Sequence, residues 1–430
     1  MVYVLNKNNR PLMPCSNVIA RLMLKEGKAK CSRRTPFTIK LRYDSTGYTQ
    51  DLTLGIDTGS KYVGSAVTNA NEEVVYLSQI EIRNNITEKM KQRSGYRRNR
   101  RNRKTRYRKP RWLNRANSTR KDRFSPTMTS KIDSHLKEIS FVKSILPITK
   151  VIIETATFDP HALKNPNILQ DKTLYQKGPN YGFANTKAFV LNRDSYTCQK
   201  CKKKSKGTRL EVHHIVYKKN GGSDVPENLV CLCKTCHEKI HSGTISLKKS
   251  GKIKGQLKHA TQMNSIRTQL LKRVECEETF GYITKENRQM LGLPKEHYYD
   301  AVAIASRGNP VTFKTKNVLF KKCVSSGDYQ RSKGVRSQIK IPAGKIKGFR
   351  KFDKVRYLGK EYFIKGRHST GYCDLMDITG KAIDFSNEPY GMKTPKMQNM
   401  KRIASRKTWI FEIKNWNIEN IPLNLKVNNK

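Results

Sequence analysis

Between Lys89 and Lys121 the chain carries 16 lysines and arginines and no acid. No other stretch restricts the fold as strongly. Arg97, Arg98, Arg100, Arg101, Arg103, Lys104, Arg106 and Arg108 fall on every side of a helix rather than along one face. Like charges at i,i+4 destabilise an isolated helix, so a helix here needs phosphates on several sides at once. The competing reading is a solvated basic tract or a localisation signal. Tyr96, Tyr107 and Trp112, set among the cations, favour an ordered helix bound to nucleic acid. Composition points the same way. Lys+Arg 87 against Asp+Glu 34 give a net charge of +53, and self-repulsion on that scale calls for a polyanionic partner. A membrane is a poor candidate, because no segment holds about 18 uninterrupted apolar residues. The opening MVYVLNKNNRPLMP has no apolar core of signal-peptide length. A soluble, cytoplasmic protein of roughly two to four domains is expected.

Ten cysteines would suit a disulfide framework, but four fall in two C-x-x-C pairs, Cys198/Cys201 and Cys233/Cys236. In a reducing compartment that pattern favours structural zinc, which takes four soft ligands in a tetrahedron. Cys231 competes with Cys233 for a place in the quartet. Between and just after the pairs lie His213, His214, Asn228, His237 and His241. Adjacent His213 and His214 on a strand point to opposite faces. So many imidazoles around one knuckle shift the balance away from ordinary core histidines and towards a second metal site.

Three carboxylates stand in telling places. Leu52–Val67 (LTLGIDTGSKYVGSAV) reads as a hairpin with Asp57 where strand becomes turn, and with Gly59 in the turn. Glu154 ends a second apolar run, VIIE. Asp300 lies on an expected helix, Glu296–Ser306, three residues after His297 and so on the same face. Carboxylates from three distant segments can converge on a pair of divalent metals.

The segment from 185 to 245 resembles an HNH nuclease, a ββα-metal fold. The resemblance makes His214 the general base, His213 and His237 the ligands of one Mg²⁺, and Asn228 the brace of the turn. His241 is a further candidate ligand, and the cysteines hold a separate, structural Zn²⁺. Asp57, Glu154, His297 and Asp300 resemble the split RuvC type of the RNase H fold, with two Mg²⁺ about 3.5–4 Å apart and His297 accepting the proton of the attacking water. The order of these parts, with Pro11-Leu12-Met13-Pro14 near the start, resembles the IscB family of transposon-encoded RNA-guided nucleases. The resemblance covers roughly residues 1–310, and the remainder loosely. The helix after Lys89 is unusually rich in asparagine for that family.

The resemblance implies an α/β fold: an RNase H-like (RuvC) mixed sheet with an inserted arginine-rich bridge helix and a ββα-metal HNH domain, plus a small α+β N-terminal domain and a C-terminal β-rich domain. The segments expected are an N-terminal PLMP-type domain at 1–50, RuvC segments at 51–84, 126–160 and 246–310, the bridge helix at 85–125, a linker at 161–184, the HNH domain at 185–245 and a C-terminal domain at 311–430. Helices are expected at Ser16–Glu26, Ser130–Leu146 and Gln256–Glu277, and a strand at Val311–Val318. Phe352–Lys381 reads as a small β-barrel; its counterpart in the family inspects a short duplex motif beside the target. The implied function is RNA-guided cleavage of double-stranded DNA by a monomeric ribonucleoprotein carrying a guide RNA of the omega type. HNH would cut the guide-paired strand and RuvC the displaced one. Two other readings remain open at this level: a homing endonuclease or junction resolvase that needs no RNA, and a non-catalytic RNA-binding scaffold.

Overall fold

The computed structural model describes residues 1–102, 123–163, 165–178, 180–203, 209–217, 222, 224–247, 257–325, 345–389 and 391–415. They form two compact units, one of 1–156 with 265–430 and one of 157–264.

The first unit opens with β1 (Val2–Leu5), β2 (Pro11–Cys15), α1 (Asn17–Lys25), β3 (Ala29–Arg33) and β4 (Thr38–Leu41), a four-stranded sheet of order β2-β1-β4-β3 with one helix. Ser16 caps α1 by accepting from the Ile19 N–H, and Gly27, at φ +70°, turns the chain out of it. Val2, Val4, Ala20, Ile39 and Leu41 form its core.

The larger sheet begins with β5 (Leu52–Asp57), β6 (Tyr62–Asn69) and β7 (Glu73–Glu81), an antiparallel meander. The basic helix α2 (Ile86–Asn102) and α3 (Pro126–Lys143) follow, then β8 (Lys150–Thr155), which pairs parallel with β5. Leu52, Leu54, Ile56 and Ile153 are fully buried, each contributing about 1.5–3 kcal/mol by leaving water.

The second unit holds α4 (Thr186–Arg193), the antiparallel pair β9 (Leu210–His214) and β10 (Leu229–Cys233), and α5 (Lys234–His241). The stretch before α4, expected to be a plain loop, contains two short 3-10 turns.

From α6 (Lys258–Arg273) the chain returns to the first unit through β11 (Glu277–Phe280), α7 (Gly281–Met290) and α8 (His297–Ser306). The helix expected over Gln256–Glu277 therefore stops at Arg273, and Glu277 opens a strand that pairs parallel with β8. The strand expected at Val311–Val318 is two: β12 (Thr312–Phe313) and β13 (Asn317–Cys323).

Next come β14 (Lys354–Tyr357), β15 (Lys360–Arg367), β16 (Cys373–Met376) and β17 (Lys401–Ala404), joined as a four-stranded antiparallel sheet of order β16-β15-β14-β17. In place of the expected barrel, the described residues form this open sheet, packed over Val355, Ile364, Leu375, Phe385 and Met397.

The last strand, β18 (Trp409–Asn415), pairs antiparallel with β13, and β13 pairs parallel with β7. The large sheet runs β11-β8-β5-β6-β7-β13-β18, with β12 beside β7. Residues 311–430 are thus not one C-terminal unit, because β12, β13 and β18 complete the large sheet.

Beneath that sheet, Lys321 of β13 and Glu138 of α3 form an ion pair at 2.6 Å, with side chains 1% and 0% exposed. Ser65, Ser78 and Tyr76 donate to the same carboxylate at 2.8, 2.7 and 3.0 Å. A buried charge survives only with such a full set of partners.

Candidate active sites

Asp57 ends β5 on the face covered by α8, because Gly55, two residues earlier, lies under that helix. A Cβ at Gly55 would overlap the Ala301 carbonyl, and one at Gly64 the His297 carbonyl. Two glycines thus let α8 lie directly on β5 and β6. That approach carries His297 to Asp57, with Nδ1 to Oδ2 at 2.6 Å. An ionised carboxylate can only accept, so Nδ1–H donates and Nε2 keeps its lone pair. The bond to Asp57 holds the imidazole above its usual 6.5. Tyr62 stacks on the ring at 5.4 Å between centroids.

One donor atom from each of Asp57, His297 and Asp300 lies within 4.8 Å of the others. Glu154 is the register partner of Asp57 on β8, and directly paired residues share a sheet face. It stands outside the three-residue group. Burial first, then the charges of Asp57 and Asp300, push its carboxyl from 4.5 up to about 7, against a bond from Thr284. Asp300 is also raised, by burial and by Asp57, although Arg288 holds it at 2.7 Å. Glu154 and Asp300, both raised by burial and by the charge of Asp57, belong to a set short of a cation, and carboxylate oxygens suit Mg²⁺.

In the second unit, β9 and β10 pair with Leu229 opposite His214 and Val230 opposite His213. Helix α5 presents His237 and His241 four residues apart on one face. His213, His237 and His241 place a nitrogen each within 4.8 Å of the others, and the two Nε2 atoms of α5 are 3.3 Å apart. Burial, and then His237 and His241, push His213 down to about 4, so its ring is neutral and ready to ligate at pH 7. Glu211 accepts from His237 Nδ1 at 2.9 Å, which leaves His237 Nε2 for a metal. Three imidazoles suit a borderline ion such as Zn²⁺, Fe²⁺ or Ni²⁺ better than Mg²⁺. The Mg²⁺ expected here is the weaker fit, because His241, the further candidate ligand, joins His213 and His237.

His214 faces the other way, its Nε2 at 2.8 Å from Asp224 Oδ1. Nε2–H donates there, and Nδ1 keeps the lone pair a base needs. Buried Asn228 clamps the loop after β9: Oδ1 accepts from the Val216 N–H at 2.8 Å and Nδ2 donates to its carbonyl at 3.0 Å.

Cys198, Cys201, Cys233 and Cys236 gather within 4.8 Å, and Cys201 Sγ lies 3.9 Å from Cys233 Sγ. A zinc–sulfur bond of about 2.3 Å gives a tetrahedron edge of about 3.8 Å, so the quartet fits Zn²⁺. Burial raises the Cys198 thiol, but backbone N–H groups of Cys201, Cys233 and Lys200 outweigh it and bring it down to about 6. Cys236 is pushed the other way, up to about 12, by burial and by the other sulfurs. Cys231 lies outside the quartet; its N–H donates to Asp194 at 2.8 Å, and burial pushes its thiol up to about 11.

On α2, Arg97 and Arg98 are exposed, and Arg100 and Arg101 continue the helix. Arg103, Lys104, Arg106 and Arg108 lie outside the described residues. The functional neighbours that sequence reading passed over are Arg288, Thr284, Glu211 and Asp224. Glu211 alone left a signal, sitting two residues before His213 on the same strand face.

Residues 2–178 match the RRXRR protein family and residues 198–243 the HNH endonuclease family. The type IV methyl-directed restriction enzyme EcoKMcrA of Escherichia coli (strain K12) is 27% identical over 100 residues, which are 22% of this chain and 34% of that one. Anaredoxin of Nostoc sp. (strain PCC 7120) is 32% identical over 74 residues, 17% of this chain and 93% of that one. Among solved structures, Streptococcus thermophilus Cas9 in complex with AGGA PAM aligns at 13% identity with a TM-score of 0.32, over 56% of this chain and 32% of that chain. The chain spans about a third of the length of the restriction enzyme and of the Cas9 chain. No helix among the described residues is long and apolar enough to cross a membrane.

The histidine cluster and cysteine quartet fall inside the HNH match, so the class is that of the HNH endonucleases. The RRXRR region beside it narrows the class. Together the two matches support an IscB-like RuvC/HNH nuclease.

Proposed function

We propose that this protein is an RNA-guided DNA endonuclease with two hydrolytic centres. Its large sheet, with an antiparallel meander, a parallel fourth strand and α8 across one face, supports an RNase H-like (RuvC) reading. The observation that carries the proposal is the coexistence, in one chain of net charge +53, of an oxygen-rich cluster at Asp57 and a histidine cluster at His213. A guide RNA of the omega type neutralises much of that charge. The arginine-rich helix grips phosphates, base pairing supplies sequence, and the four-stranded C-terminal sheet meets the flanking motif on duplex DNA. The particle is a monomeric ribonucleoprotein.

At the RuvC centre, Asp57, Glu154 and Asp300 would hold two Mg²⁺, which supply charge stabilisation for the attacking and leaving oxygens. His297, held by Asp57 through Nδ1, offers Nε2 to the proton of the attacking water. Arg288 fixes the rotamer of Asp300. At the HNH centre, His213, His237 and His241 would hold one divalent ion, which stabilises the leaving oxygen. His214 takes the water's proton at Nδ1, Asp224 holds its ring, and Asn228 fixes the loop that follows. The cysteine quartet would hold Zn²⁺ and keep β9, β10 and α5 together. HNH cuts the guide-paired strand and RuvC the displaced strand.

The test is strand-specific nicking. Protein purified with its own transcript and given a matching plasmid should linearise it. Asp57→Ala and His214→Ala should each leave a nick, on opposite strands. Loss of both cuts from either change, with RNA still bound, refutes two independent centres. The likeness to a restriction enzyme favours a second reading, an endonuclease that needs no RNA. Ribonuclease treatment separates them, because cutting survives it only under the second.

A further inference from the structure

A cavity of about 770 Å³ opens between the N-terminal module, α3 and the segment joining β17 to β18. Its wall combines cations and rings: Arg33 and Arg34 at the end of β3, Lys137 and Phe141 of α3, and Lys407 and Trp409. The volume is that of a site for a nucleotide-sized ligand.

The rings are ordered. Trp409 meets Phe141 edge to face, with centroids 5.3 Å apart at 81°. Lys137 Nζ sits 3.9 Å from the Trp409 centroid, and the Arg33 guanidinium 5.5 Å from that of Phe141. Phe352 adds a third, half-exposed ring.

The cations carry unspent charge. No Asp or Glu lines the cavity among the described residues. Arg33 donates to Ser144 Oγ at 3.2 Å, Arg34 to the Ile403 carbonyl at 3.4 Å, and Lys137 to Thr408 Oγ1, all neutral acceptors. Burial alone lowers the proton affinity of Arg33. Lys354, also on the wall, has its carboxylate, Glu361, at 2.6 Å, as Lys314 has Glu73 and Lys322 has Glu81. Half-dehydrated Arg33 and Lys137, beside the half-exposed rings of Phe141 and Phe352, match a phosphate joined to a base.

We infer that this cavity is a nucleotide pocket that takes an unpaired ribonucleotide of the bound RNA, its base against Phe352 and its phosphates on Arg33, Arg34 and Lys407. RNA is the occupant because structured RNA presents splayed, unpaired bases, whereas a duplex target keeps its bases stacked. Ser140, Ser405 and Thr408 on the wall give the ribose 2′-hydroxyl its partners. A second hollow of about 590 Å³ shares Lys137 and Thr408 and is lined by Arg83 and Arg123. Those two arginines flank the acid-free basic stretch, so one strand can run from it into the pocket.

The inference rests on the RNA-guided reading, and one experiment tells the two apart. The protein, purified with its co-purifying RNA, is irradiated at 254 nm and digested with nuclease and trypsin, and nucleotide–peptide adducts are mapped by mass spectrometry. Ribonucleotide adducts are expected on the peptide carrying Phe352. Arg34→Glu with Lys407→Glu, both exposed and remote from the nuclease clusters, should abolish those adducts and weaken RNA binding about tenfold, with an unchanged melting temperature. Adducts confined to Lys89–Lys121 overturn the pocket and leave the RNA-guided reading standing. Deoxyribonucleotide adducts on the pocket peptides, in complexes loaded with target DNA, overturn the RNA assignment. Protein that retains no RNA overturns both.

Discussion

Replacing Glu154 by Gln tests whether the carboxylate set awaits a cation. Without metal, Glu154 ionises against burial and against Asp57 and Asp300, which moves it from 4.5 to about 7. A carboxyl raised in the folded state contributes no penalty below its unfolded value. The penalty grows as pH rises from 4.5 through about 7 and is then constant. At 1.36 kcal/mol per decade that interval amounts to roughly 3 kcal/mol, and roughly 2–3 kcal/mol once the side chains relax. Glu154→Gln removes the charge and keeps the shape. In metal-depleted buffer at pH 8 it should raise stability by about 2 kcal/mol, and near pH 4.5 it should change little. Added Mg²⁺ should reverse the order, since the wild type gains about 2.7 kcal/mol at a hundred times its dissociation constant and the variant gains less. The assay is urea unfolding of the ribonucleoprotein followed by tryptophan fluorescence at pH 4.5–8.5, without a strong chelator so that the cysteine quartet keeps its ion. A variant destabilised equally at every pH, with no reversal by Mg²⁺, refutes the mutual repulsion on which the two-metal reading rests.

Lys321→Met should lower stability by about 3–5 kcal/mol, because it strands Glu138 as a buried, unpaired charge; adding Glu138→Gln should restore most of it in the same unfolding assay. Gly64→Ala should push α8 off the sheet at His297, and a shift approaching 1 Å would slow displaced-strand nicking by about 10²-fold while guide-strand nicking stays intact. Cys236→Ser should remove one zinc per chain by elemental analysis and expose the β9–β10 pair to hydrogen exchange. His241→Ala should leave that zinc in place and raise the Ni²⁺ needed for half-maximal guide-strand nicking by 10–100-fold.

Where a side chain's partner lay within a few residues, or its element ended on it, the sequence was legible. Asp57 and Glu154 stood out because apolar strands end on them, and the cysteine quartet because its spacing is that of a zinc site. The IscB resemblance, read from the order of such short motifs, agrees with the RRXRR and HNH matches. Partners brought from afar were invisible. Lys321 lies 183 residues from Glu138, and a lysine inside a strand disguises the apolar alternation that would have marked β13. Arg288 meets Asp300 only through the packing of α7 beside α8. Helix α7 and strand β11 follow α6 with no proline or glycine cluster to punctuate them, so α6 was drawn too long.

Pairing of β13 with β18 has a consequence for the residues strung between them. Cys323 sits opposite Trp409 in the ladder, and the Val324 N–H donates to the Thr408 carbonyl at 2.9 Å. The chain thus leaves the large sheet at Val324 and rejoins it at Thr408 through one doorway, the spacing of adjacent strands, about 4.8 Å. A region so attached is a cassette. A short hairpin could seal the doorway, or a foreign four-stranded sheet could be grafted through it, with the strands that carry Asp57 and Glu154 undisturbed.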